Sequence, residues 1–212
     1  MLRIILLRHG ETLWNIEGRF QGQEDTALSE RGLAQGHALA LALKDISIDA
    51  AVSSPLQRSY LTCKMAADEH GIPVKKDPRL TEISHGKWEG IRADEILQLY
   101  PREFALWHTH PEQVQMPDGE SLEDVRRRAR AAFDEYTKTY DGKTLLVAAH
   151  DAVNKVILCD LMGLGMDHFW QIKQDNCCIN VVEYDSGTWR LVNLNVTGHL
   201  GYLISGIEQK GL

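Results

Sequence analysis

Met1-Leu2-Arg3-Ile4-Ile5-Leu6-Leu7-Arg8-His9-Gly10 opens the chain, and its reading decides the fold. Residues 3–7 form a short run rich in leucine and β-branched side chains that ends at a glycine, the pattern of a buried strand. Arg8 and His9 then stand at the strand's carboxyl end. Thr144-Leu145-Leu146-Val147-Ala148-Ala149 reads the same way and delivers His150. Asp49-Ala50-Ala51-Val52-Ser53 is a third short strand, leading through Ser54-Pro55 to Arg58. Helices are expected between the strands. Ser29 caps one over 30–44, with Leu33, Gly36, Ala40 and Leu43 on one face. Ser54 as N-cap and Pro55 at the first helical position open another over 55–70, which Gly71-Ile72-Pro73 stops. Ser121 and Asp124 resemble a capping box before the stripe Leu122, Val125, Ala129, Ala132, Phe133 and Tyr136. A further helix spans 151–162, and 179–194 reads as a hairpin turning at Asp185-Ser186-Gly187. Strands alternating with helices predict an α/β fold. It is expected to be a three-layer α/β/α sandwich, with a mostly parallel central sheet and helices on both faces.

The 212 residues carry no repeat, low-complexity segment or Pro/Gly/Ser-rich linker, so residues 1–212 are read as one domain. Residues 85–120 differ from the rest, holding Trp88, Trp107 and several short polar stretches, and are expected to form a loop-rich helical lid. Apolar residues make up 43% of the chain and charged residues 25%, ordinary values for a globular protein. A net charge of −7 disfavours nucleic acid and anionic lipid as partners, so any anion must be held by a local basic pocket. No stretch reaches the roughly 18 apolar residues of a membrane span, and the first apolar run is too short for a signal peptide. A cytoplasmic location is expected. Cys63, Cys159, Cys177 and Cys178 contain no Cys-x-x-Cys pair and read as reduced thiols.

Ligands of open α/β sheets bind beyond the carboxyl ends of the strands. Arg8, His9, Arg58 and His150 are therefore expected to converge although they lie far apart in sequence. Guanidinium forks match phosphate oxygens, and helix N-termini after the strands add backbone N–H donors. This pattern suits a phosphate or a carboxylate.

Leu7-Arg8-His9-Gly10-Glu11-Thr12-Leu13-Trp14-Asn15 resembles the signature of the histidine phosphatase superfamily, which includes the cofactor-dependent phosphoglycerate mutases. Phe20-Gln21-Gly22-Gln23, Leu28-Ser29-Glu30-Arg31-Gly32, Ser53-Ser54-Pro55-Leu56-Gln57-Arg58, Leu80-Thr81-Glu82-Ile83 and Ala149-His150 look like that family's later blocks, in the family's order. The resemblance implies a phosphoglycerate mutase-like fold and catalysis without metal or cofactor. It makes His9 the nucleophile, Glu82 the proton donor, and Arg8, Arg58 and a protonated His150 the phosphoryl clamp. Asn15, Gln21 and Gly22 fall where that family lines its pocket.

Ile83-Ser84-His85-Gly86-Lys87-Trp88-Glu89-Gly90 and Leu194-Asn195-Val196-Thr197-Gly198-His199-Leu200-Gly201 resemble the metal-independent phosphoserine phosphatase branch. The substrate implied is a small phosphorylated metabolite, phosphoserine first, with His85 as an imidazolium gripping its carboxylate and His199 nearby. A phosphoglycerate mutase, or a phosphatase for α-ribazole phosphate or a sugar phosphate, is the alternative. Residues 85–120 mix acidic with basic groups, which favours hydrolysis over mutase chemistry. Asp151 departs from the small or neutral residue usual after the second histidine, and is expected to cap helix 151–162. His108-x-His110 lacks a third ligand at telling spacing, so no metal site is expected. Arg126-Arg127-Arg128-Ala129-Arg130 alternates with acidic residues on a helix and reads as a solvated, salt-bridged face. The tail hairpin offers an edge strand for a possible homodimer.

Overall fold

The computed structural model describes residues 1–203 and 205; the end of the expected domain lies outside the described residues. Its centre is strand β1 (Leu2–Arg8), which is aliphatic enough to be covered on both faces. β1 pairs in parallel with β4 (Thr144–Ala149), in a register that sets Arg3 opposite Thr144 and Arg8 opposite Ala149. β4 pairs in parallel with β2 (Ala50–Ser53), and β2 with β3 (Val74–Lys76). On its other side β1 meets β5 (Ile179–Asp185) antiparallel, and β5 folds back on β6 (Thr188–Val196). The sheet order is β3-β2-β4-β1-β5-β6, the mostly parallel arrangement expected.

Helices cover both faces because alternate residues of each strand point oppositely. Ile5, Leu7, Leu146 and Ala148 pack with Leu39 and Leu43 of α2 (Glu30–Leu43) and with Cys63 and Ala67 of α3 (Gln57–Asp68). Leu2, Ile4, Leu6, Leu145 and Val147 join Val125 and Phe133 of α6 (Leu122–Thr139) and Val156 and Ile157 of α7 (Asp151–Leu161) on the other face. The chain thus leaves β1 toward one face and the adjacent β4 toward the other. Strands that diverge in this way open a crevice at their carboxyl ends.

The caps explain where helices begin. Ser29 Oγ accepts from the Gly32 N–H at 3.0 Å, and Ser121 and Asp124 complete the capping box read from the sequence. A short helix, α1 (Leu13–Glu17), follows β1 and is boxed by Thr12 and Asn15. The helix expected from Pro55 instead starts at Gln57, whose N–H is taken at 2.7 Å by Asp25 of a distant loop. Ser54 is thereby free for another partner. Residues 85–120 carry α4 (Ala93–Leu99) and α5 (Pro101–Thr109) between single helical turns. Trp88, Ile96 and Trp107 of this segment are fully buried and belong to the α6–α7 core, so the expected lid is anchored to the body of the domain. β6 forms one edge of the sheet and exposes Val192, Leu194 and Val196. Among the described residues, no helix is long and apolar enough to cross a membrane, and the four cysteines are buried free thiols.

Candidate active site

The strand ends converge. His9 and His150, at the tips of β1 and β4, lie with ring centroids 5.2 Å apart. Gly10 accepts from the His9 ring: Nδ1 stands 2.7 Å from its carbonyl oxygen. A carbonyl can only accept, so Nδ1 carries the proton and Nε2 keeps its lone pair. Burial, reinforced by the Arg58 and Arg8 guanidiniums, holds the His9 pKa well below the usual histidine range. His9 is neutral at pH 7, as a nucleophile must be.

Arg8 Nη1 donates to the Gln174 carbonyl, and Arg58 donates from Nη1 to Glu24 O at 2.6 Å and from Nη2 to Gly22 O at 2.7 Å. Each guanidinium is thus gripped at its tip by backbone carbonyls, while Nε of each has no protein partner among the described residues. Burial lowers the Arg58 pKa to about 10, which leaves it charged at neutral pH. His150 Nε2 lies 2.8 Å from Ser54 Oγ. Ser54 Oγ also accepts from the Leu56 N–H, and with its own hydroxyl proton turned to His150 Nε2 the ring keeps its proton on Nδ1. His150 Nδ1 is buried and has no protein partner among the described residues. Burial and Arg58 hold the His150 pKa well below 6.5. Burial thus favours a neutral His150 ring in the free protein, whereas the sequence reading expects a protonated one around the phosphoryl group.

Glu82 reaches the same crevice from the irregular segment after β3 and is 2% exposed. Its Oε1 accepts from Ile83 N–H at 2.9 Å, and its carboxyl faces the Ala152 and Val153 N–H groups at 3.4 Å, the first turn of α7. Burial and the Asp151 charge raise its pKa; the backbone donors and Arg58 oppose this and do not prevail. The carboxyl is biased toward its protonated form.

Around this centre the remaining sequence-predicted residues hold varied posts. Asn15 Oδ1 takes the Thr12 N–H at 3.1 Å and Asn176 Nδ2 at 3.3 Å. Gln21 is buried, with Oε1 accepting from the Thr12 and Thr26 hydroxyls. Gly22 has φ +50, and a Cβ there would lie 2.1 Å from Glu89 Oε1, so glycine lets the loop deliver its carbonyl to Arg58. His85 is fully buried between Phe20 and Trp107, with ring centroids at 4.9 and 6.0 Å. Burial lowers its pKa to about 3. An imidazolium gripping a carboxylate does not fit this ring, which is a neutral member of a buried aromatic cluster. His199 places Nε2 3.0 Å from the Cys177 carbonyl, and Cys177 N–H donates to His9 O at 3.1 Å. His199 therefore meets the centre only through that turn.

Asp151 also departs from expectation. His150 occupies the N-cap position of α7, and the Asp151 carboxylate turns inward, 3.2 Å from Arg8 Nη1 and 2.7 Å from Lys155 Nζ. Ser54, Asn176, Gln174 and Lys155 were not read from the sequence as site residues. Ser54 had a detectable signal, since it directly follows a strand end. Asp151 and Lys155 had helical i,i+4 spacing. Among the described residues no cluster of His, Cys, Asp and Glu is placed to hold a metal ion, and His108 and His110 instead meet Phe104 O and Glu112.

Such a crevice belongs to α/β hydrolases that handle a phosphoryl group with arginine and histidine. The chain is a member of the histidine phosphatase superfamily (branch 1), whose family model matches residues 4–197. It is 36% identical over 201 residues to phosphoserine phosphatase 1 of Hydrogenobacter thermophilus, covering 95% of each chain. It is 34% identical over 193 residues to a probable phosphoglycerate mutase, GpmB, of Yersinia pestis, covering 89% of this chain and 88% of that one. The solved structure of Bacillus stearothermophilus YhfR superposes with a TM-score of 0.90 at 30% identity, over 94% of this chain and all of the other. The chain is a metal-independent phosphomonoester hydrolase acting on small phosphorylated substrates.

Proposed function

We propose that the chain hydrolyses phosphoserine through a phosphohistidine on His9. The observation that carries this reading is the His9 ring, locked by Gly10 so that an unprotonated Nε2 stands among the clamp residues. Arg8, Arg58 and the His150 Nδ1–H hold the non-bridging phosphoryl oxygens and stabilise the charge spread over them in a loose transition state. His9 Nε2 attacks phosphorus as the P–O ester bond breaks, and Glu82 gives its proton to the leaving serine oxygen. Glu82, now a carboxylate, takes a proton from water as that water attacks phosphorus and the P–N bond breaks. Inorganic phosphate leaves, His9 is neutral again and Glu82 is protonated again. No step requires a metal.

The likeness to the Hydrogenobacter enzyme supports phosphoserine as the ester. In this reading Asn15, Gln21 and Gly22 receive the amino-acid part, next to the buried Phe20–His85–Trp107 cluster. The test is a panel of phosphorylated metabolites, including phosphoserine, phosphoglycerates, α-ribazole phosphate and sugar phosphates. Released phosphate and acid-labile phosphoenzyme are both measured. Phosphoserine is expected to give the highest kcat/KM, and His9→Ala to give no trapped phosphoryl group. A higher kcat/KM for another ester, or isomerised phosphoglycerate without free phosphate, refutes the assignment.

A further inference from the structure

Asp151 and Lys155 form a buried ion pair beside the nucleophile, and each is 1% exposed. A buried pair of this kind gains little stability over apolar residues of the same size, because desolvation offsets the Coulomb attraction. Its position points to another use. Asp151 divides its two oxygens: Oδ2 is 2.7 Å from Lys155 Nζ and Oδ1 is 3.2 Å from Arg8 Nη1. The same face of α7 brings Asn154 Nδ2 to Leu7 O at 3.1 Å, so Asp151 and Asn154 of one helix brace the end of β1. Lys155 is seated over the Trp170 and Phe169 rings at 4.5 and 5.0 Å, which fixes its ammonium.

We propose that the Asp151–Lys155 pair is a positioning element of the catalytic centre, with Asp151 aligning the Arg8 guanidinium. The proposal rests on the reading of Arg8 as phosphoryl clamp and Glu82 as acid. Charge counting explains why both members are needed. Arg8 and Arg58 supply two positive charges, which match a phosphoryl dianion. Asp151 alone would cancel one of them and repel the substrate. Lys155 restores the balance, so Asp151 can hold Arg8 without weakening the clamp. Asp151 and Lys155 from α7 and Arg58 from α3 act on Glu82, and Arg128 from α6 donates to the Glu82 carbonyl. Asp151 is the one anion in this set. Its effect on Glu82 is to favour the protonated acid.

The experiment compares the wild type with Lys155→Met and with the double variant Asp151→Asn/Lys155→Met. Phosphoserine kcat and KM are measured, and phosphoenzyme is trapped in each protein. Lys155→Met leaves an uncompensated carboxylate and is expected to raise KM more than about tenfold. The double variant leaves no lone buried charge, so it folds and recovers KM to within about threefold of wild type. Its kcat stays about tenfold down, because Arg8 has lost its lateral anchor. A double variant with wild-type kcat overturns the proposal. So does a double variant whose KM is no better than that of folded Lys155→Met. If Lys155→Met does not fold, the double variant decides alone. Absence of phosphoenzyme in the wild type refutes the mechanism instead, independently of how the pair behaves.

Discussion

Arg128 turns from a surface helix to the segment that carries Glu82, and replacing it with alanine is expected to cost both stability and turnover. Its Nε and Nη2 form a fork on Glu120, at 2.8 and 2.9 Å. Nη1 donates to Arg79 O at 2.8 Å and Nη2 to Glu82 O at 3.1 Å. Glu120 in turn accepts the Ser84 N–H at 2.9 Å. One guanidinium therefore fastens residues 79, 82 and 84 of an irregular stretch that has no ladder of its own. A hydrogen bond from a charged donor contributes about 1.5–3 kcal/mol. The Arg128 side chain is 20% exposed, and screening weakens the Glu120 pair, so only the two carbonyl bonds are counted, and toward the lower bound. That gives a loss of about 3 kcal/mol for Arg128→Ala, or a fall in Tm of about 6–12 °C for a domain of this size. Arg127 is the control: its side chain is 72% exposed and its ion pair with Asp124 spans 3.5 Å, so Arg127→Ala is expected to change Tm by less than about 2 °C. Arg128→Lys cannot reproduce the fork and should recover less than half of the loss. Thermal melts and steady-state phosphate release measure these effects. Equal Tm and equal kcat for the two alanine variants would refute the reasoning.

Three further outcomes are expected. Ser54→Ala removes the proton that fixes the His150 tautomer and leaves Nε2 unpaired; at about 1–3 kcal/mol, kcat/KM should fall about ten- to a hundredfold, and unchanged kinetics would disprove the tautomer assignment. His85 is neutral when folded and titrates near 6.5 when unfolded, so the stability it permits is present above pH 6.5 and lost as pH falls from 6.5 toward 3. The full span amounts to on the order of 5 kcal/mol, and His85→Phe should flatten denaturant-measured stability between pH 6.5 and 4; an unaltered slope would show that His85 is not buried as described. Trp107→Ala empties a fully buried site that joins residues 85–120 to the core, and should cost about 3–5 kcal/mol; a loss below 1 kcal/mol would mean that the segment is a loose flap.

The fold was legible because β1 and β4 are aliphatic runs of strand length, each ended by a polar residue, and because Ser121 and Ser29 are capping residues in local reach of the N–H groups they serve. Arg8, His9, Arg58 and His150 were legible for a related reason: the strand-end rule converts local pattern into a shared location. What escaped depends on partners far away in the chain. Arg8 is held by Gln174, 166 residues on, and nothing near either residue announces the other. Ser54 beside Pro55, and Asp151 at a strand-to-helix junction, satisfy the rules for caps as well as those for site residues. Local propensity cannot choose between the two, since the choice is made by Asp25 reaching Gln57 and by Lys155 reaching Asp151. The lowering of the His150 pKa depends on burial, which only the packed structure supplies.

The anchoring of Trp88 and Trp107 in the core has a consequence for how new specificities arise in this molecule. The residues proposed to grip phosphorus stand at the ends of β1 and β4 and on α3, whereas Trp88 and Trp107 belong to an excursion between β3 and α6. Mutational drift in the exposed parts of that excursion can change the surroundings of the crevice without moving the strand ends, and the two tryptophans are the studs that let the insert be rebuilt while it stays attached.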